Sequence, residues 1–342
     1  MAQWPSPLEQ GARLSVWAPS SPAPQAFPRR FARGVRALQD DGFTVRTLPS
    51  CSAAEGVSTL APVELAAELH RELRNPECDA VVAAVGGWTL IGVLPHLDWD
   101  LIGEAAKPLI GYSDITALLN VVAARSGLVS FHGPMVISEW GEAGGPWGYT
   151  RDEFRTVTSL PASGGEHVIE APAEWSDELL WWDKEDTRRR APGTGGERIR
   201  CLRASDAPAE GPLWGGNLAV LSLLAGTAYL EQPEDCLVFL EVEAVAPDEL
   251  AARLWQLRMA GVFERAAGLV VSRIGRARVC LSGFADFDQV IRTIVPEHLP
   301  VAAGYDLGHS EPMTTLPVGG RARLECVDGA EPRLAILPPA TR

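Results

Sequence analysis

Ser113 lies in the segment Lys107-Pro-Leu-Ile-Gly-Tyr-Ser-Asp-Ile-Thr-Ala-Leu-Leu119, where a short apolar run meets a helical pattern. Pro108 to Ile110 reads as a buried strand, Gly111 ends it, and Ile115, Leu118 and Leu119 mark one face of the helix that follows. A serine on such a corner is exposed at the edge of a sheet. The backbone N–H groups beside it sit at a helix N-terminus, where negative charge is stabilised. That placement suits a nucleophile attacking a carbonyl. It suits a helix cap made by Ser113 or Asp114 as well, so the segment alone leaves both readings open.

A hydrolytic serine needs a base, a group that orients the base, and donors for the oxyanion. The chain has six histidines. His70 falls on a polar helix face, His167 in an irregular stretch and His298 in a Glu-His turn, and all three read as surface residues. His96 follows Pro95 near a helix end, and His132, in Phe131-His-Gly-Pro134, follows a strand and is placed to line a cleft. His309 belongs to a Gly- and Pro-rich loop, Gly304 to Gly319, that follows one strand and leads to another. Loops on a rigid scaffold carry functional residues more often than packing ones. Among the carboxylates, Glu241 is anomalous, because it interrupts the apolar run Val238-Phe-Leu-Glu-Val242. A carboxylate there is costly unless paired, and an imidazolium would compensate it. Glu243 is the same-face alternative; a strand's wet end would account for Glu241 without chemistry.

The elements that must position these residues alternate between strand and helix in the first part of the chain. Leu14–Ala18, Phe43–Thr47, Ala80–Val85, Pro108–Ile110 and Leu128–Phe131 read as strands, with helices at Phe31–Asp40, Val63–Arg74 and after Ser113. This alternation predicts an α/β architecture with an open parallel sheet. Sites in such sheets lie at the C-terminal ends of strands, where Gly86-Gly87 and Ser113 both fall. From Gly141 to Pro212 the pattern is lost, and the pairs Gly144-Gly145, Gly164-Gly165, Pro192-Gly193 and Gly195-Gly196 interrupt it. Six of the 11 tryptophans lie between Trp140 and Trp214, too aromatic for a disordered linker, so an ordered lid is expected. A second unit starts near Gly211. It has helices at Asn217–Ala225, Asp248–Met259 and Phe284–Val295, and strands at Leu237–Val242, Ala267–Ser272, Val301–Ala303, Ala322–Cys326 and Arg333–Leu337.

Composition excludes several classes of function. With 44 acidic against 30 basic residues the net charge is −14, which leaves no basic face for a phosphate backbone, so no nucleic-acid partner is expected. The six cysteines (Cys51, Cys78, Cys201, Cys236, Cys280 and Cys326) show no C-x-x-C spacing and suit buried thiols in a reducing compartment. No apolar run reaches the roughly 18 residues of a membrane span. The N-terminus lacks the pattern of a signal peptide. A cytoplasmic protein without a membrane partner is the expectation.

Six motifs occur in order: Gly86-Gly87, Gly111-Tyr-Ser-Asp-Ile-Thr-Ala-Leu118, Phe131-His-Gly-Pro134, Gly215-Gly-Asn-Leu218, Phe239-Leu-Glu241 and Gly308-His-Ser-Glu-Pro-Met-Thr-Thr-Leu-Pro-Val-Gly319. Together they resemble the LD-carboxypeptidase family of serine peptidases, and the resemblance covers nearly the whole chain. It implies a flavodoxin-like N-terminal domain over 1–165, a linker and active-site loop over 166–210, and a smaller, β-rich α/β C-terminal domain over 211–342. It further implies a Ser–His–Glu triad of Ser113, His309 and Glu241, with the backbone N–H groups of Gly87 and Asp114 as oxyanion donors. The substrate-binding set is expected to include Gly86, Trp88, Asn217 and at least one of Trp175, Trp181 and Trp182. No metal or cofactor is implied, and a homodimer is.

The murein-recycling members usually carry an arginine before the double glycine; Val85 stands there instead. Gly86-Gly-Trp-Thr-Leu-Ile-Gly-Val-Leu-Pro-His-Leu-Asp-Trp99 and Glu174-Trp-Ser-Asp-Glu-Leu-Leu-Trp-Trp182 look more like the family's microcin C self-immunity branch. The expectation is hydrolysis of an amide bond in a small peptidyl- or aminoacyl-nucleotide, antibiotic-like compound. Release of terminal D-alanine from murein tetrapeptide is the alternative. A non-catalytic nucleotide-binding protein is the rival of another class, and no G-x-G-x-x-G or Walker A sequence supports it.

Overall fold

The computed structural model describes residues 2–160, 164–193, 199–275 and 286–339. Gly195-Gly196, Cys280 and the first residues of the helix expected at Phe284–Val295 lie outside them. In the first half, β1 (Arg13–Trp17), β2 (Thr44–Thr47), β3 (Ala80–Ala83), β4 (Leu109–Gly111) and β5 (Ser130–His132) form one parallel sheet in the order β5-β4-β3-β1-β2. That is the flavodoxin-type order of a doubly wound sheet. Every residue of β3 is buried, as expected for a strand covered on both faces. Helices Pro28–Asp40, Pro62–Arg74 and Thr116–Ser126 supply the cover.

The second sheet holds β6 (His167–Val168), β7 (Arg200–Arg203), β8 (Ala209–Asn217), β9 (Cys236–Glu241), β10 (Ala266–Ser272) and β11 (Val301–Tyr305). After β12 (Leu316–Val318), β13 (Arg321–Glu325) and β14 (Arg333–Ile336) complete it, in the order β6-β14-β13-β8-β9-β10-β11-β7. Its centre, β8 to β11, is parallel and the outer pairings are antiparallel. Side chains of β9 divide with the period of a strand. Leu237 and Phe239 join the core of the first sheet, and Cys236, Val238 and Leu240 pack under helices Leu218–Leu224, Pro247–Met259 and Phe287–Ile294. β12 crosses back and pairs antiparallel with β5, so the late part of the chain also completes the first sheet.

The expected lid segment holds more regular structure than its sequence suggested. Helix Gly148–Thr158 lies within it, and β8 begins at Ala209. The helix was hidden because its buried face is partly polar: Thr150 and Glu153 are buried beside Phe154 and Val157. Thr150 Oγ1 accepts the Met313 N–H at 2.9 Å, and Glu153 meets His167 at 2.9 Å. A face satisfied by hydrogen bonds leaves no 3.6-residue apolar period to detect. Three of the six clustered tryptophans, Trp140, Trp147 and Trp214, are buried packing residues. Among the described residues no helix is long and apolar enough to cross a membrane.

The two sheets are joined by a buried polar contact. Asn120 Nδ2 donates to the carbonyl of Gly215 at 2.7 Å, and its Oδ1 accepts the Gly215 N–H at 3.0 Å. Thr116 Oγ1 accepts the Asn217 N–H at 2.9 Å. Gly216 allows this approach, since a Cβ there would fall 2.4 Å from Thr116 Oγ1. Asn120→Ala leaves both backbone groups of Gly215 without this partner inside a buried contact. We expect it to lower stability by about 2–3 kcal/mol, read as a lower urea midpoint with an unchanged slope.

Candidate active site

Ser113 follows β4 and Tyr112 with φ +59°, a left-handed conformation uncommon for a residue with a side chain. Strain of this kind persists where the surroundings enforce it, and it clusters at functional sites. A 3₁₀ turn, Ser113–Ile115, then leads into helix Thr116–Ser126. Neither Ser113 nor Asp114 supplies a side-chain cap to the turn or the helix. The Asp114 carboxylate instead accepts the Leu90 N–H at 3.0 Å, and burial pushes its pKa up. Gly86 lies directly against the serine: a Cβ on it would fall 2.8 Å from both Cβ and Oγ of Ser113. At Gly87 a Cβ would fall 2.6 Å from the Ser20 carbonyl oxygen. The double glycine after β3 is what lets these three turns pack together.

From the second sheet, β9 ends on Glu241, which is 1% exposed. Its Oε2 accepts Asn217 Nδ2 at 2.5 Å, and its Oε1 lies 2.9 Å from His309 Nδ1. Burial pushes the Glu241 carboxyl up, but His309 and Asn217 outweigh burial and bring it below the usual carboxylate range. Burial likewise disfavours a charged His309, yet Glu241, then Glu243 and Glu139, outweigh that and raise its pKa to about 9. His309 itself has φ +42°, and the edge of its ring meets Tyr112 with 5.0 Å between centroids. Glu243, the same-face alternative, touches the other ring nitrogen: its Oε2 is 3.1 Å from His309 Nε2.

A cavity of about 490 Å³ opens over these residues, with Ser113, Glu241 and His309 all on its wall. Gly86, Gly87 and Asn217 line it as well. His132, expected at a cleft, is instead wholly buried; its Nε2 donates to the Leu307 carbonyl at 2.5 Å and its ring packs on Phe239. The end of β5 is covered by the loop after β11, whose Leu307 carbonyl meets the ring.

The tryptophans separate clearly. Trp88 and Trp182 line the cavity, whereas Trp175 and Trp181 are not on its wall. Trp88 is 63% exposed at the rim. Trp182 is held edge-on by Phe27, 5.3 Å between centroids, and carries the Arg30 guanidinium 5.0 Å over its ring. Trp175 packs under the guanidinium of Arg273 at 4.7 Å, and Trp181 is 59% exposed to solvent.

Sequence reasoning missed the ionic base of the site. Arg30 is 2% exposed. It bonds Asp186 at 3.0 Å, Glu142 at 3.0 Å, and the carbonyls of Ile137 and Ser138 at 2.7 and 2.6 Å. Arg190 reaches Glu142 at 3.3 Å and Glu311 at 2.6 Å. Tyr112 donates to Glu139 at 2.7 Å. These partners come from distant segments, and no local pattern signals them.

Comparison with known proteins places the chain by family and fold. The sequence model described as the LD-carboxypeptidase N-terminal domain matches residues 14–133, and that of the LD-carboxypeptidase C-terminal domain matches 210–324. The microcin C7 self-immunity protein MccF of Escherichia coli is 26% identical over 321 residues, 94% of this chain and 92% of that protein. A probable murein peptide carboxypeptidase of Bacillus subtilis is 27% identical over 326 residues, 95% of this chain and 92% of its own. The solved structure of MccF in complex with glutamyl sulfamoyl guanosine superposes with a TM-score of 0.89 at 25% identity, covering 99% of both chains.

Proposed function

The chain belongs to the LD-carboxypeptidase family of serine peptidases, and from that premise we propose that it hydrolyses an amide bond in a small aminoacyl- or peptidyl-nucleotide-like compound. The observation that carries this reading is His309, oriented by the buried carboxylate of Glu241 at 2.9 Å and opening on the cavity that also holds Ser113.

Ser113 Oγ attacks the substrate carbonyl carbon while His309 Nε2 takes the hydroxyl proton. Glu241 keeps Nδ1 protonated and stabilises the imidazolium that forms. The oxyanion is received by the backbone N–H groups of Gly87 and Asp114. His309 then returns its proton to the leaving amine, the C–N bond breaks, and an acyl-Ser113 ester remains. Water, deprotonated by His309, releases the acid and restores the serine. The exposed face of Trp88 and the ring of Trp182 offer stacking surfaces for a nucleobase, worth about 1–3 kcal/mol per base.

MccF supports this choice of substrate, since its solved complex holds glutamyl sulfamoyl guanosine. Carboxypeptidase-named relatives support a second reading, removal of terminal D-alanine from murein tetrapeptide. Val85 disfavours it, standing where murein-recycling members usually carry arginine. Incubation of the protein with an aminoacyl sulfamoyl adenosine and, separately, with murein tetrapeptide, followed by mass spectrometry, tests the choice. Free amino acid and sulfamoyl adenosine are the expected products. Release of D-alanine with an intact sulfamoyl compound would replace the first reading by the second. We carry the homodimer and the cytoplasmic location forward as part of this proposal, the former open to light scattering.

A further inference from the structure

A base must have a free lone pair on the nitrogen that faces the nucleophile. In the mechanism above that nitrogen is His309 Nε2, and in the structure it meets a carboxylate: Glu243 Oε2 lies 3.1 Å from it while Glu241 Oε1 lies 2.9 Å from Nδ1. Carboxylates accept hydrogen bonds and cannot donate them, so a ring held by one at each nitrogen carries a proton on both. An imidazolium in this state cannot accept a proton from the serine.

Glu243 stands two residues beyond the end of β9, in a segment bridged to Gly275 and followed by Ala244 at φ +48°. Glu243, Ala244 and Val245 also form part of the cavity wall. A substrate that fills the cavity therefore meets this segment as well as Ser113.

We propose that Glu243 is a positioning residue that holds His309 as an imidazolium between two carboxylates in the substrate-free protein, and that substrate entry draws it off Nε2 and frees that nitrogen for Ser113. The proposal rests on the assignment of His309 as the base. Among the described residues, the other groups facing the ring include Glu241, steadied by Asn217, on the second sheet, and the phenol ring of Tyr112, with Glu139 behind it and the buried His132, on the first. The raised pKa of His309, about 9, agrees with this surrounding. Its sign is that of a histidine stabilised by its partners: the ion pairs contribute fully below the ordinary imidazole range and are lost as pH rises through about 9.

Two measurements test Glu243. The first is an NMR pH titration of the His309 ring, with ¹⁵N-labelled histidine, in substrate-free Ser113→Ala protein with and without Glu243→Gln. The expected result is a midpoint near 9 with the carboxylate present and proton binding about tenfold weaker with the amide. A midpoint that does not move overturns the proposal. The second is the pH profile of kcat/KM on an aminoacyl sulfamoyl adenosine, which reports ionisations of the free enzyme. Glu243→Gln is expected to shift the acid limb to lower pH and raise kcat/KM at pH 7 by up to about tenfold. A uniform loss of activity with the limb unmoved makes Glu243 merely structural and also overturns it. If the unsubstituted protein leaves the compound intact, the substrate reading fails, while the ring titration still decides the case of Glu243.

Discussion

Ser113→Ala is expected to lower kcat by about four to six orders of magnitude, the range seen when one member of a cooperating triad is removed. The folded protein should remain intact. Alanine at φ +59° bears the same left-handed backbone cost as serine, because both carry a Cβ. The smaller side chain also relieves, rather than tightens, the contact with Gly86, where a Cβ would already fall 2.8 Å from Oγ. Affinity for the sulfamoyl compound should therefore stay close to that of the unsubstituted protein. Single-turnover kinetics and calorimetry separate the two effects. Unchanged turnover would remove Ser113 as nucleophile, and with it the assignment of His309 and Glu241 as its partners.

The largest expected effect on stability comes from Arg30→Met. The guanidinium is buried between Glu142 and Asp186 and bonds two carbonyls of the turn Val136–Trp140. Methionine fills much of the volume but leaves two buried carboxylates without this counter-charge. Removing one partner of a buried ion pair costs about 3–5 kcal/mol. The loss also reaches the site. The Arg30 guanidinium lies over Trp182 and bonds Asp186, so the segment that carries Trp182 loses these two side-chain anchors and keeps only the bond from the backbone N–H of residue 30 to Asp183 at 2.8 Å. A raised KM should accompany the lowered urea midpoint.

The pH dependence of the same network follows in sign. Burial pushes the Asp186 carboxyl up, but Arg30 and Arg33 outweigh it and hold it below its ordinary range. Its contribution is thus present above the unfolded carboxylate pKa and is lost as pH falls through the lower folded value. Stability should drop on acidification below about pH 4, and Arg30→Met should flatten that drop. Equal acid sensitivity in both proteins would show that the pair contributes nothing to it.

How far the sequence could be read depended on whether a feature is encoded by neighbours. β9 was visible as a continuous apolar run because both its faces are buried, Leu237 and Phe239 in one core and Val238 and Leu240 in the other. Glu241 was visible as an interruption of that run. Helix Gly148–Thr158 was not, because Thr150 and Glu153 occupy its buried face in place of apolar residues. His132 was placed at a cleft because the strand before it ended there; only the position of Leu307 shows that the strand end is covered.

The chain order of residues therefore determined the α/β plan in two units, the strand–turn–helix corner at Ser113 and the identity of the groups able to do chemistry. These follow from short-range periodicity, from the glycines that allow close turns, and from the cost of a charge in an apolar strand. The tertiary structure alone decided which groups meet. His309 and Glu241 are 68 residues apart, and Arg30 and Asp186 are 156 apart. It also decided that Trp182 rather than Trp181 lines the cavity, and that Glu243 touches His309 Nε2. A charged side chain chooses its partner by where packing puts it after the sheets have closed, and no local pattern carries that information.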